Sequence, residues 1–412
     1  MNRRNLSDVL LEALSDTPVV FLRGARQSGK TTLVKNFAPD GAGARNYVTL
    51  DSATALAAAL RDPAGFLHGL RKPLTIDEAQ RAPELMLAIK EDIDRERLAG
   101  RYLLTGSANV MALPKVADSL AGRMEILTLY PLSRGEIVGA REDFIARLFD
   151  RSHVFTGNAP QYTQEDLLEI ICSGGYPEVL TRKSEKRRTA WFESYITALA
   201  ERDIRDIANI QDRGGVIRLL GLLAARSASL FNQSEISKAS AIPNSTLSRY
   251  ISLLEATFII YFLPPWSSNL GKRLIKSPKI HLVDSGLAAH LCGSDNGGLG
   301  RGLSLAGKLF ESFVVGEILK QSGWTEHPVR LYHYRSRTGD EIDLLLEDRS
   351  GNIAAVEIKL SQTITNRDVK SVSGLRDALG GNFVRGAVIY SGREVFPLGD
   401  RLIALPAGAA IG

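Results

Sequence analysis

Five short apolar runs punctuate the first 140 residues: "PVVFLRG", "NYVTLD", "KPLTIDEA", "GRYLLTGS" and "MEILTLYP". Helical patterns fill the gaps between them. Such alternation predicts a parallel sheet covered by helices. Residues 141–215 are mostly helical in pattern, with a Gly-Gly-Tyr-Pro break at 174–177 between two amphipathic segments. From Val216 a helix through "VIRLLGLLAARSAS" leads into "FNQSEISKASAIPNSTLSRYISLLEATFIIYFLPPW". Asn232 with Glu235 three residues on resembles a capping box. Ile236, Ala239 and Ile242 form a small apolar face, and "AIPN" is a turn. Leu247, Ile251 and Leu254 then recur at i, i+4 and i+7, leaving Ser245, Ser248, Arg249 and Ser252 outside. Helix, turn, helix and apolar run make a winged-helix pattern. After "CGSDNGGLGRG" come a helix, "SLAGKLFESFVVGEILKQSG", and three strands, "VRLYHYRS", "GDEIDLLLED" and "IAAVEIKLS". A second helix, "TNRDVKSVSGLRDAL", and a fourth strand, "VRGAVIYSG", complete an αβββαβ order.

These changes of pattern divide the chain into an α/β domain at 1–140, a helical linker at 141–215, a winged-helix segment at 216–300 and a C-terminal α/β domain at 301–412. A length of 412 residues fits that plan, because single cores rarely grow past ~250–300 residues. Composition adds little: 44% apolar and 24% charged residues are ordinary for a globular protein. Fifty-one Lys and Arg against forty-six Asp and Glu permit nucleic-acid binding without arguing for it. Two cysteines, Cys172 and Cys292, make no disulfide framework and no zinc motif, so a reducing, cytoplasmic setting is expected. The N-terminal segment is neither a signal peptide nor an anchor, and "ATFIIYFL" is too short to span a bilayer.

The first strand runs into "GARQSGKT", a P-loop. Gly24 and Gly29 let the backbone turn, so that the N–H groups of Ala25, Arg26, Gln27, Ser28, Lys30, Thr31 and Thr32 gather around phosphate at the start of a helix. Lys30 would reach the β- and γ-phosphates and the Thr31 hydroxyl would bind Mg²⁺. "PLTIDEA" places Asp77 and Glu78 at a strand's C-terminal tip, where ligands bind in such sheets. Asp77 is expected in the Mg²⁺ shell, and Glu78 as the group that orients and deprotonates water, which points to hydrolysis. Thr105, Ser107 and Asn109 follow the next strand; a polar side chain there either touches the γ-phosphate or water, or serves turn chemistry. Arg123, just before the last strand, either senses the γ-phosphate, in cis or across a subunit interface, or caps a helix at the surface.

Chemistry also stands on the C-terminal strands. Asp343 lies inside an apolar strand, and Glu357 and Lys359, two residues apart, leave one face of the next. Isolated acids in apolar strands are costly unless paired or bound to a cation. Asp343 and Glu357 are expected to hold Mg²⁺ or Mn²⁺, with Glu311 completing the shell and Lys359 orienting water. The pattern resembles the core of the PD-(D/E)xK nucleases. Strand-edge salt bridges are the plainer explanation of the same residues. In the winged-helix segment, Ser245, Ser248 and Arg249 would face DNA, and Lys272, Arg273, Lys276 and Lys279 lie where a wing would be; a structural lid explains the segment equally well.

Taken in order, "GARQSGKT", "TIDEAQ", "LLTGSANVM", "LAGRMEILTLYPLS", "GGYPEVL", "AERDI", "LSRYISLLEATFII", "LVDSGLAAHL", "LFESFVVGEIL", "EIDLLL" and "VEIKLS" resemble a large prokaryotic family of AAA-like ATPases whose C-terminal part is a domain of unknown function. The resemblance spans nearly the whole chain. It implies ATP binding and hydrolysis with Mg²⁺, a winged-helix segment and a restriction-endonuclease-like C-terminal domain. The expected partners are ATP and, through the winged-helix and C-terminal segments, DNA or RNA, with no membrane and an open oligomeric state. The C-terminal domain either cuts nucleic acid or acts as a regulatory switch that binds DNA or protein without cutting.

Overall fold

The computed structural model describes residues 3–35, 45–107, 120, 122–157, 159–203, 213–268, 277–293, 303–336 and 338–412. Asn109, Lys272, Arg273 and Lys276, named above, lie outside the described residues. The chain divides into two compact units, Met1–Leu132 with Ala256–Phe258, and Ser133–Glu255 with Ile259–Gly412. Among the described residues no helix is long and apolar enough to cross a membrane.

The first unit is built on β1 (Val19–Arg23), β2 (Asn46–Thr49), β3 (Leu74–Asp77), β4 (Tyr102–Gly106) and β5 (Met124–Thr128). They pair in the order β2-β3-β4-β1-β5, and all pairs are parallel. Both faces are covered. Val19 and Phe21 pack with Ile76, Tyr102 and Leu104 on one side. Val20 and Leu22 pack with Leu103 and with Leu6 and Leu10 of the helix Leu6–Asp16 on the other. Burial on two faces is why these strands are runs of apolar residues rather than alternations. The register sets Leu22 opposite Thr105, Leu104 opposite Ile76, and Thr49 opposite Asp77. The strands therefore end together, and the loops that follow them meet at one edge of the sheet.

In the second unit, β6 (Ser229–Leu230), β7 (Ile260–Leu263) and β8 (Lys279–Leu282) form an antiparallel sheet in the order β6-β8-β7. The helix Arg213–Ala225 precedes β6, and the helices Gln233–Ser240 and Asn244–Ala256 lie between β6 and β7 in sequence. Leu247, Ile251 and Leu254 are buried, while Ser245, Ser248 and Arg249 are exposed, as their spacing requires. The expected capping box is only half made. Asn232 accepts the Glu235 N–H at 3.2 Å, but the Glu235 carboxylate turns to Arg226 at 2.6 Å, an ion pair that local sequence does not reveal.

A larger sheet follows: β9 (Val329–Arg335), β10 (Glu341–Asp348), β11 (Ile353–Lys359), β12 (Phe383–Tyr390), β13 (Phe396–Gly399) and β14 (Leu402–Pro406), in the order β13-β14-β12-β11-β10-β9. The αβββαβ order is present, and β13, β14 and the short helix Gly408–Ile411 extend it. The helix Asn366–Leu379 sets Val372 and Leu375 against Ile353, Ala355 and Phe383. The helix Leu303–Gln321 buries Ala306, Leu309, Phe310, Phe313, Val314, Val315 and Ile318. Between Ile342 and Leu345 the register of β10 against β9 shifts. Such a bulge re-aims a side chain, and here it falls at Asp343.

One buried acid in this unit has a pH consequence. Glu142 is 3% exposed, and its Oε1 accepts the Gly135 N–H at 2.8 Å. Burial pushes its carboxyl up to about 7, with the charge of Glu317 adding to the effect and the Ser133 hydroxyl opposing it. The folded value lies above the unfolded one of ~4.3. The folded state thus holds the proton more tightly, and this contribution to stability, present at acid pH, is lost as pH rises through about 7. Glu142→Gln is expected to remove that loss. Comparing urea unfolding of the two proteins at pH 5 and pH 8, the variant gains on the order of 3 kcal/mol relative to wild type at the higher pH. An equal pH dependence in both proteins would show that Glu142 is not the group responsible.

Candidate functional site

The strand-end edge of the first sheet gathers the expected nucleotide residues. At Gly24 (φ +154°) an added Cβ would stand 2.0 Å from the backbone oxygen of Leu129, so only glycine lets the chain leave β1 here. Gln27 (φ +62°) is exposed and Gly29 (φ +97°) closes the turn. Ala25 is buried, Arg26 is half-buried, and Thr32 is exposed one turn into the helix Lys30–Lys35. Lys30 is 4% exposed, and its Nζ donates back to the carbonyls of Gly24 at 2.9 Å and Ala25 at 2.8 Å. The ammonium therefore lies across the loop it belongs to. Ser28 Oγ is buried without a partner among the described residues. A glycine-lined turn, a lysine donating to two carbonyls of its own loop and a buried hydroxyl without a partner among the described residues fit an anionic ligand with oxygen acceptors.

Asp77 is the centre of this edge. Its carboxylate accepts the hydroxyls of Thr31 at 2.9 Å and Tyr47 at 2.8 Å, and also that of Thr105. Thr105 sits on β4, the strand between β1 and β3, and its Oγ1 also accepts the Glu78 N–H at 3.1 Å. Glu78 itself is in the left-handed region (φ +60°), a costly conformation for a non-glycine residue. Gln80 Nε2 donates both to Glu78 Oε2 and, at 3.2 Å, to Ser107 Oγ. Thr31, Asp77, Glu78, Thr105 and Ser107 are thus linked in one network with Lys30 beside it. Tyr47 and Gln80 are additions that sequence reasoning missed. Gln80 stands two residues after Glu78, which was the available signal; Tyr47 offered none. Burial and Asp77 together raise the Tyr47 pKa, so its hydroxyl stays a donor.

Arg123 is not brought to this network. It precedes Met124, which pairs with Val19, the first residue of β1, so it lies at the opposite ends of the strands. Its Nε meets Asp94 at 2.7 Å. The expectation of a role in cis is corrected by this register: a five-residue parallel strand, ~3.3 Å per residue, separates the two edges.

The second unit holds the C-terminal acids. Asp343 on β10 is 6% exposed and Glu357 on β11 is 7% exposed. Asp343 Oδ2 accepts the Ile358 N–H at 2.9 Å, and Lys359 Nζ donates to Glu357 Oε1 at 2.6 Å. The expected neighbours Glu311, Asp343, Glu357 and Lys359 are thus brought together. A further member was not expected there. Lys279, placed by sequence on a wing facing a nucleic-acid backbone, is 1% exposed and enters the cluster from β8. Its Nζ lies 2.6 Å from Glu311 Oε1, 2.8 Å from Glu341 Oε1 and 3.3 Å from Asp343 Oδ1. Burial alone would lower its pKa, but Asp343, Glu311 and Glu341 raise it above the usual lysine range. Burial, then the charge of Asp343, pushes the Glu311 and Glu357 carboxyls up against their lysine partners. Glu357 Oε2 is buried with no partner among the described residues.

The expected metal set of Glu311, Asp343 and Glu357 is corrected by the same observation. Among the described residues no group of three or more His, Cys, Asp and Glu side chains is arranged to hold a metal ion. The ammonium of Lys279 stands on two of the three acids, which supplies the physical reason. The signal for Lys279 was present in "KIHL": a charge entering an apolar strand, the same feature that singled out Asp343.

Comparisons with known proteins place these units in context. Residues 16–138 match a family described as an AAA domain. Residues 164–297 and 306–409 each match a domain of unknown function, DUF8612 and DUF4143. An uncharacterized protein of Mycobacterium tuberculosis is 33% identical over 413 residues, covering 99% of this chain and 84% of its own. An uncharacterized protein of Haemophilus influenzae is 23% identical over 344 residues, covering 78% and 79%. Among solved structures, a Walker-type ATPase of Pyrococcus abyssi aligns over 70% of this chain and 95% of its own, with 16% identity and a TM-score of 0.44.

Proposed function

The chain belongs to the same family as this mycobacterial protein and carries an AAA-type, ATP-binding domain, and on that premise we propose that it is a Mg²⁺-dependent ATPase of the cytoplasm whose nucleotide state governs a nucleic-acid-directed C-terminal domain. The β- and γ-phosphates of ATP are received by the backbone N–H groups between Gly24 and Thr32. Lys30 exchanges the carbonyls of Gly24 and Ala25 for phosphate oxygens. Thr31 and Asp77 offer the hard oxygen ligands for Mg²⁺, which when bound neutralises charge on the β- and γ-oxygens. Glu78 orients the attacking water and takes its proton, with Gln80 steadying its carboxylate and Ser107 behind Gln80. Arg123 serves a phosphate only when it is contributed to a neighbouring copy of the chain. The observation that carries the reading is the convergence of the Thr31, Tyr47 and Thr105 hydroxyls on Asp77, beside Glu78 at one strand edge.

For the second unit, we favour a switch over a nuclease. The helices Gln233–Ser240 and Asn244–Ala256 with β7 and β8 serve as a winged helix, and the C-terminal domain, of restriction-endonuclease-like fold, engages DNA, RNA or a protein without cutting. In the rival reading, Asp343, Glu357 and Lys359 are catalytic and Mg²⁺ sits on Glu311, Asp343 and Glu357. The specific observation favouring the switch is the Lys279 ammonium among those carboxylates.

Phosphate release from ATP in Mg²⁺ tests the first part. Glu78→Gln is expected to slow turnover by about 10²-fold while ATP still binds; unchanged turnover removes the site assignment. Incubating the same preparations with DNA and RNA in Mg²⁺ or Mn²⁺ tests the second. No cutting is expected, and cutting that Asp343→Ala abolishes would restore the nuclease.

A further inference from the structure

The cluster around Asp343 holds four carboxylates, Glu311, Glu341, Asp343 and Glu357, and two ammonium groups, Lys279 and Lys359. Lys279 is the most enclosed member, at 1% exposure, and it comes from a different sheet. A lysine is seldom buried unless paired, and this one lies 2.6, 2.8 and 3.3 Å from three carboxylates, donating hydrogen bonds to Glu311 and Asp343. A hard divalent ion sits 2.0–2.6 Å from its oxygen ligands, roughly where the ammonium now is. Ion and ammonium cannot share the position. Lys359 is committed elsewhere, to Glu357 Oε1 at 2.6 Å, and Glu357 Oε2 is buried with no donor among the described residues. The oxygens are thus arranged as for a cation, and a side chain supplies it.

We propose that Lys279 is the resident cation of this cluster, and that it and a divalent metal ion exclude one another there. The C-terminal domain is thereby held in a metal-free form by β8, and a metal enters only when Lys279 leaves. The inference deepens, and rests on, the reading of the C-terminal domain as a switch. It differs from an ordinary structural salt bridge in one measurable respect: removing the lysine creates a metal site rather than merely loosening the fold.

The test counts Mn²⁺ bound to the full-length, nucleotide-free protein by electron paramagnetic resonance. In wild type, Asp343→Asn is expected to leave the count unchanged. Lys279→Met, which keeps the length and removes the charge, is expected to gain about one Mn²⁺ per chain, and Lys279→Met with Asp343→Asn to lose it again. The thermal midpoint of Lys279→Met should rise with added Mn²⁺, and that of wild type should not. If the single variant does not fold, Lys279→Met with Glu341→Gln relieves part of the unbalanced charge and is judged by the same count. No Mn²⁺ gained on removing Lys279 overturns the proposal, because the oxygens then make no cation site. A wild-type Mn²⁺ lost in Asp343→Asn overturns it too, because lysine and metal then coexist. Neither count depends on ATP turnover or on cutting, so failure here is distinguishable from failure of the switch reading.

Discussion

Lys30→Ala is expected to lower ATP turnover by about 10³-fold or more, the scale of a charge-stabilising group in phosphoryl transfer. The reason lies in what the ammonium does before nucleotide arrives. Buried to 4% exposure, it is bonded to two carbonyls of its own loop, Gly24 and Ala25. It is therefore already positioned, and exchanging carbonyl for phosphate oxygen demands little reorganisation. Alanine removes both the positive charge and the donors. Nucleotide affinity should fall together with turnover, because the lysine meets phosphate in the ground state as well as in the transition state. Glu78→Gln should separate the two, slowing turnover while sparing binding. Phosphate release and equilibrium binding of a fluorescent ATP analogue check both variants, with circular dichroism confirming that each is folded. A Lys30→Ala protein that turns over ATP at the wild-type rate would remove this loop from the chemistry.

Asp284→Ala is expected to destabilise the protein by about 3–5 kcal/mol, from the loss of a helix cap and the stranding of buried N–H groups. Asp284 is 2% exposed, and its carboxylate accepts the N–H of Leu287 at 2.8 Å, capping the helix Ser285–Leu291. It also accepts the N–H of Gly175 at 2.7 Å. Gly174 (φ +64°) leaves room for it: a Cβ there would stand 2.4 Å from Asp284 Oδ1. Asp284→Asn keeps an acceptor for one of these donors and should cost much less. Because burial raises the Asp284 pKa in the folded state, the contribution of its titration to stability is present at acid pH and lost as pH rises; asparagine removes that dependence. Urea midpoints of the two variants test this, and equal, small losses would show that Asp284 is not the joint between these segments.

That joint also explains two segments whose chemistry could not be derived from sequence. "GGYPEVL" and "LVDSGLAAHL" are more than a hundred residues apart, and each has little meaning alone. In the fold, the aspartate of one meets the glycine turn of the other. The parallel sheet, by contrast, was legible. Its strands are apolar runs because both faces are buried; its order, with β4 between β1 and β3, belongs to the tertiary structure. The helix Asn244–Ala256 was legible for the same kind of reason, since its buried face, Leu247, Ile251 and Leu254, must repeat at i, i+4 and i+7. β13 and β14 were not: "VFPLGDRLIALP" mixes proline and glycine with short apolar stretches, and pairing with β12 makes it sheet.

The candidate sites divide similarly. Backbone-dictated features were visible as residue types at fixed spacing: Gly24 and Gly29 in the turn that runs into the helix at Lys30 and Thr31, and Asp77 and Glu78 at a strand tip. Tyr47 and Gln80 were not visible, because a hydrogen-bond partner is chosen by strand register and loop path. For Arg123 the sequence left a γ-phosphate role and a surface cap both open, and the parallel register put it at the far end of its strand.

By itself the sequence determined the strands of the parallel sheet, the helices with a repeating apolar face, where the glycine turn before Lys30 lies and which strands carry acids, because periodicity and glycine conformation act over a few residues. Only the tertiary structure decided what those acids face. Whether a buried carboxylate meets a metal or an ammonium depends on which distant strand packs above it, and β8 brought Lys279.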